Sequence, residues 1–277
     1  MKSVVVTGAS TGIGWGCAKV LVGKGFRVFG SVRKQADADR LSCELGANFS
    51  ALIFDVTDAA AISAAADQVQ DALGGAALAG LVNNAGIAVA GPLLYINPDE
   101  VRHQLEVNVI GQVLVTQAFA PLLVSQGKDK AGRIVMISSI GGKSASPFMG
   151  PYNASKFALE GLSESLRREL MLLGIDVIVI APGAVATPIW DKAEEIDITR
   201  YDNTPYAKAL KGVRDYMLVH GRKGLKPEAL GQAVWHALTT ASPRTRYTVT
   251  PDPLQNFLMT ALPRRVVDRL IARQLGW

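Results

Sequence analysis

The chain has 277 residues, 49% of them apolar and 19% charged, with 27 glycines and 13 prolines. That composition excludes a disordered chain, which needs low hydrophobicity and high net charge, and the length allows a core without disulfide or metal. The net charge of +5 sits mostly at one end: six arginines face two aspartates between 244 and 277, a local +4, so no basic stripe for nucleic acid is expected across the body.

Val4, Val5 and Val6 form a short β-branched run that enters a glycine-rich turn, and apolar residues at helical spacing follow Gly12 through Leu21. The alternation continues with strands expected over 27–32, 51–54, 79–82, 133–138 and 176–181. Helices are expected over 36–45, 59–73, 99–125 and 152–173. Strands alternating with helices call for crossover connections and a parallel sheet covered on both faces. The run 107–127 carries no charge and is long enough to span a bilayer. Asn108, Gln112, Thr116, Gln117 and Pro121 interrupt it, and a helix buried against the sheet or a partner subunit explains it better.

After Pro188 the rhythm breaks. Residues 188–225 are charged and aromatic, helical only in pieces, and placed where open α/β sheets bind ligands, which makes them a substrate lid in this reading. The run 245–251 reads as a last strand. Over 264–276, Val266, Val267, Leu270, Ile271 and Leu275 mark an apolar face and Arg265, Arg269 and Arg273 a basic one. Docking of this helix on the domain or a neighbouring subunit is the favoured reading, contact with a membrane surface the alternative.

Residues 7–14 read TGASTGIG. Gly8, Gly12 and Gly14 follow a strand and open a helix, so backbone amides can approach a pyrophosphate at a helix N-terminus. The GxxxGxG spacing departs from GxGxxG and implies a Rossmann variant. At the end of the second strand stand Ser31, Val32, Arg33 and Lys34, with no carboxylate before Asp37. A cation there pairs with a 2′-phosphate, so NADP is the expected cofactor, NAD the alternative, and Arg33 the clamp. Asp55 ends the third strand, where a carboxylate can accept the adenine amino group or cap a helix.

These residues resemble one family, the short-chain dehydrogenases/reductases, over about residues 3–190. TGASTGIG is similar to its cofactor turn, Asp55-Val56 to its adenine contact, NNAG at 83–86 to its mid-sheet motif, YNASK at 152–156 to its YxxxK signature, and PGAVATP at 182–188 to its nicotinamide loop. The resemblance implies a cofactor held by Gly8, Ser10, Thr11, Gly12, Ile13, Gly14, Asp55, Val56, Asn84, Ala85, Gly86, Tyr152, Lys156, Pro182, Gly183, Val185 and Thr187. It implies a catalytic set of Asn108, Ser139, Tyr152 and Lys156, with Asn108 holding a water that links Lys156 to solvent, and a homodimer or homotetramer formed through the long helices.

Tyr152 and Lys156 are four apart and share a helix face. A nearby ammonium favours phenolate and is expected to pull the tyrosine's pKa toward neutrality, making Tyr152 an acid/base for an alcohol or ketone. Ser139 can bond the same oxygen as charge develops. His103, His220 and His236 have no ligand spacing, so no metal is expected; GxSxG is absent, which argues against an acyl-enzyme.

The expectation is a single Rossmann-type α/β domain over 1–277, with the lid at 188–225 and the tail at 253–277. It is an oxidoreductase moving a hydride between NADP(H) and a small-molecule alcohol or ketone of lipophilic, retinol-like or steroid-like kind. The alternative is a catalytically silent NADP(H)-sensing regulatory or scaffold protein. Cys17 and Cys43 form no framework and no export signal precedes Val4, so the cytoplasm is the expected compartment.

Overall fold

The computed structural model describes residues 1–125 and 130–275. The end of the uncharged run, 126–127, and the last two tail positions, 276–277, lie outside the described residues. Seven parallel strands form one sheet in the order β3-β2-β1-β4-β5-β6-β7. The strands are β1 (Ser3–Val6), β2 (Arg27–Val32), β3 (Phe49–Ile53), β4 (Gly80–Asn83), β5 (Arg133–Ile137), β6 (Asp176–Pro182) and β7 (Arg246–Val249). The order reverses between β1 and β4, which opens a crevice at the carboxyl ends of those two strands.

Because side chains alternate across a strand, Val4 and Val6 face one layer and Val5 the other. Cys17 and Leu21 of α1 (Gly12–Gly23), Leu41 of α2 (Gln35–Leu45) and Leu230 and Val234 of α9 (Pro227–Thr239) cover the first face. The second is covered by Ile62 and Val69 of α3 (Ala59–Leu73), Phe119 and Leu123 of α5 (Gly111–Leu123), and Leu159 of α6 (Gly150–Glu169). Both faces of the sheet are therefore sealed, as its apolar runs require.

The long uncharged helix consists of α4 (Pro98–Leu105), a π-helical turn Glu106–Ile110, and α5. Pro98–Leu123 is long and apolar enough to cross a membrane, yet its polar residues at every fourth position are spent inside this fold. Gln104 donates to the Ile87 carbonyl and accepts from Val89 N, Gln112 donates to the Ala85 carbonyl, and Thr116 accepts from Asn83. A lipid-facing helix would have no such partners for them, so this helix belongs to the core layer.

Helix α9 is absent from the sequence reading. Pro227 at its first turn and Gly231 in its interior look like punctuation. The close approach to α1 explains both: a Cβ at Gly231 would lie 2.5 Å from the Gly16 carbonyl oxygen. The segment expected to be helical only in pieces holds a short helix α7 (Ile189–Glu194) and a full one, α8 (Ala207–Arg222). Two helices follow β7, α10 (Pro253–Ala261) and α11 (Arg264–Leu275), and Val267 of α11 is buried where α11 packs on α8.

Phe119 has no solvent exposure. Phe119→Ala is expected to lower the unfolding free energy by about 3 to 5 kcal/mol, measured as a lower urea midpoint with an unchanged slope.

Candidate active site

The crevice between β1 and β4 is built around Thr7. Its hydroxyl donates to the Val82 carbonyl (3.4 Å) and accepts from the amides of Asn84 (2.9 Å) and Ala85 (3.0 Å), tying the first turn to the end of β4. Ser31 holds the other side: its hydroxyl accepts from Gly8 N at 2.9 Å and its carbonyl from Ala9 N at 2.8 Å. Gly8 has φ +65°, a left-handed conformation, and a Cβ at Gly14 would lie 2.1 Å from the Gly8 carbonyl oxygen. Only glycine lets α1 start this close to the strand. Ser10, Gly12 and Ile13 are half-buried and Thr11 is exposed, and the Thr11 side chain does not cap α1. The helix's first amides are thus directed at an open crevice.

Arg33 is exposed at the end of β2, its Nη1 3.6 Å from Oδ2 of Asp55. The other Asp55 oxygen accepts from the amide (3.1 Å) and hydroxyl (2.9 Å) of Thr57. Burial pushes the Asp55 carboxyl up, but the two Thr57 bonds and the Arg33 charge outweigh it and hold the pKa below the usual value. Val56 is buried against Gly111. Arg40 of α2, which sequence reading missed, donates to the Ser10 carbonyl at 2.6 Å and pairs with Asp37 at 3.2 Å. Nothing local in the sequence signals that bond, since it depends on how α2 lies across the turn.

Further along the same edge, Asn84 donates to the Thr7 carbonyl at 2.8 Å. A Cβ at Gly86 would meet Asn108 Oδ1 at 3.1 Å. Asn108 lies in the π turn, almost fully buried. It accepts from Ile87 N (2.8 Å) and donates to the Ile87 carbonyl and to Ser155 Oγ, each at 3.0 Å. Ser155 in turn donates to the Tyr152 carbonyl at 2.7 Å. Ser155 is a second residue the sequence reading left out, although it stands inside YNASK.

Ser139 follows β5 and is buried, its hydroxyl accepting from Gly141 N at 3.0 Å. It also shares a side-chain hydrogen bond with Tyr152. Lys156 is buried one turn beyond Tyr152, its Nζ donating to the Ile137 carbonyl at 2.9 Å and lying 5.8 Å from the centre of the Tyr152 ring. Burial lowers the Lys156 pKa to about 8, with the Glu160 carboxylate pulling the other way.

The expected acidification of Tyr152 by Lys156 is not what these contacts produce. Burial pushes the phenol up from its ordinary value, and the hydrogen bond with Ser139 only partly opposes this. The reason is physical: removing phenolate from water outweighs the available stabilisation, and the ammonium is bonded to a backbone carbonyl.

Pro182 closes β6, and Gly183 N bonds to the Val249 carbonyl at 2.9 Å. Val185 bridges to Leu225, and its carbonyl accepts from Trp190 Nε1 at 2.7 Å. Thr187 reaches back to the glycine turn, where a Cβ at Gly12 would lie 3.2 Å from it. The structure thus gathers the glycine turn, Asn84 to Gly86, Asn108, Ser139, Tyr152, Lys156 and Thr187 at one sheet edge, with Arg33 and Asp55 at its flank.

A glycine-lined crevice at the switch point and a Ser, Tyr, Lys cluster beside it define a dinucleotide-binding α/β enzyme. The chain matches the short chain dehydrogenase family over residues 2–197. It is 36% identical over 277 residues to the NADPH-dependent 3-dehydrocapnine reductase of Ornithobacterium rhinotracheale, covering 99% of this chain and 98% of that one. Retinol dehydrogenase 16 of Mus musculus is 32% identical over 285 residues, 98% of this chain and 87% of the other. A solved short-chain dehydrogenase from Streptomyces avermitilis aligns with a TM-score of 0.77 at 28% identity, covering 100% of this chain and 95% of that one. The chain belongs to the short-chain dehydrogenase family and is an oxidoreductase acting on alcohol and carbonyl groups.

The Lys156 shift has a stability consequence. From about pH 8 to the ordinary lysine value of 10.5, the unfolded chain binds a proton that the folded protein has lost, so Lys156 makes stability rise with pH in that window. Below it both states are protonated and the burial penalty is complete. The stability of Lys156→Met relative to wild type is expected to be most favourable below pH 8 and to fall by up to about 3 kcal/mol by pH 10.5, measured by urea titration across pH.

Proposed function

We propose that the protein is an NADP(H)-dependent oxidoreductase interconverting a lipophilic secondary alcohol and its ketone, of retinol-like or steroid-like kind, with Tyr152 as the general acid/base. The reading rests on one observation: Tyr152, Ser139 and Lys156 meet at the carboxyl edge that also carries the glycine turn. The NADPH dependence named for the Ornithobacterium relative and the retinol named for the mouse relative support the cofactor and the substrate class.

The crevice fits a dinucleotide. A Cβ would fill its cradle at Gly14, and the first amides of α1 suit a pyrophosphate. Ser10 to Gly14, Asn84 to Gly86, and Pro182, Gly183, Val185 and Thr187 would line it, with Val56 and Asp55 toward the adenine. Arg33 is exposed and would pair with the 2′-phosphate. When bound there, NADPH would supply a hydride for the carbonyl carbon and leave as NADP+.

The chain's residues handle the proton. Tyr152 Oη gives it to the carbonyl oxygen while Ser139 Oγ donates a hydrogen bond to the same atom. Burial keeps the Tyr152 phenol protonated at neutral pH, and the hydrogen bond with Ser139 works against the rise in its pKa. Lys156 supplies positive charge as the phenolate forms, and Asn108 positions the cluster through Ser155. Residues 188–225 close the substrate side, with Trp190 packed at Gly221, Tyr206 edge-on to Phe148, and Arg222 paired with Asp191 and Glu194. Exposed Ile110, Phe157 and Leu162 support a homo-oligomer through the long helices, and free Cys17 and Cys43 support a cytoplasmic location.

With NADPH and a panel of aliphatic and steroidal ketones, Tyr152→Phe is expected to lose about 10² to 10⁴-fold in kcat while still quenching or shifting NADPH fluorescence on binding. Wild-type binding of NADPH without turnover of any carbonyl would favour the sensor instead. Arg33→Ala is expected to weaken NADPH by about 10 to 100-fold and leave NADH nearly unchanged, measured by titration of each cofactor.

A further inference from the structure

Helix α10 has the sequence PLQNFLMTA, and no charged residue occurs from 253 to 263. Leu254, Phe257 and Leu258 stand at i, i+3 and i+4 on one face and are 70%, 62% and 44% exposed. No residue of α10 is buried, and among the described residues that face stays largely open to solvent. Its polar positions Asn256 and Thr260, with Phe257, border a cleft of about 380 Å³ shared with Ile140, Lys143, Arg246 and Thr248.

Helix α11 follows directly. Its inner side is spent on the body through Val267, while Arg264, Arg265, Arg269 and Arg273 are exposed, and Leu270 beside them is 45% exposed. Among the described residues, none of these four arginines forms an ion pair with an acidic side chain. A largely exposed apolar helix face is therefore followed by a net positive helix, its four arginines set against Asp268 alone. A two-fold contact with a second copy through α10 would cover the apolar side chains but give the arginines of α11 no opposite charge. An anionic lipid surface instead accepts both features, the apolar side chains at the headgroup boundary and the guanidinium groups at its phosphates.

We infer that α10 and the outer face of α11 dock this protein on an anionic lipid bilayer. Leu254, Phe257 and Leu258 enter the interface shallowly, and Arg264, Arg265, Arg269 and Arg273 face the headgroups. The contact is peripheral, since α10 is too short to span a bilayer.

The test is cosedimentation of the whole purified chain with vesicles, no substrate or cofactor being added, so its outcome is separate from that of the proposed reaction. Vesicles of phosphatidylcholine with about 30% phosphatidylglycerol are expected to bind the protein and vesicles of phosphatidylcholine alone to bind it weakly, with high salt releasing it. Leu254→Ser/Phe257→Ser and, separately, Arg265→Glu/Arg269→Glu are each expected to weaken binding by about tenfold or more without changing the thermal midpoint. Absence of binding by the wild type, or binding by either variant as tight as that of the wild type, overturns the inference. So does a wild-type oligomer that ignores vesicles and falls apart in the Leu254→Ser/Phe257→Ser variant, because α10 then faces a second copy.

Discussion

The functional edge depends on how the sheet is held at the point where its strand order reverses. Thr7 spans that point with one hydroxyl, bonded to Val82, Asn84 and Ala85, while Ser31 fixes the turn from the neighbouring strand. With both sides pinned, the β1–α1 turn is held in place, and the first amides of α1 face the crevice. A parallel sheet makes this arrangement available because every strand ends at the same edge, so each turn after a strand contributes to one shared site.

The second constraint is the buried polar stripe on the long helix. Gln104, Asn108, Gln112 and Thr116 would each be costly in the core without partners, and each is bonded to residues between Asn83 and Val89. The stripe therefore shapes the strand-end loop that forms one wall of the crevice. The π turn around Asn108 lies where that loop, Ser155 and the start of α6 converge. Widened helical turns of this kind are frequently found at functional sites.

The electrostatics of the cluster follow from burial more than from pairing. Lys156 is held below its ordinary pKa and Tyr152 above its own, so each group is displaced toward its neutral form. Ser139 is the group that most directly opposes the Tyr152 shift. The ammonium bonded to Ile137 sits at the end of β5, linking α6 to the sheet.

What the sequence by itself determined is what depends on near neighbours along the chain. The valine run into TGASTGIG announces a strand, a tight turn and a helix, and the spacing of Tyr152 and Lys156 puts them on one helix face, because these relations are properties of a few consecutive residues. Tertiary structure alone decided the rest. Helix α9 exists because it packs on α1 at Gly16, which overrides the look of Pro227 and Gly231 as breakers. Arg40 reaches Ser10, and Ser155 joins Asn108 to Tyr152, only once distant helices are set in place. The sign of the Tyr152 shift and the bareness of α10 depend on how much water the fold removes from each group, and no local pattern carries that quantity.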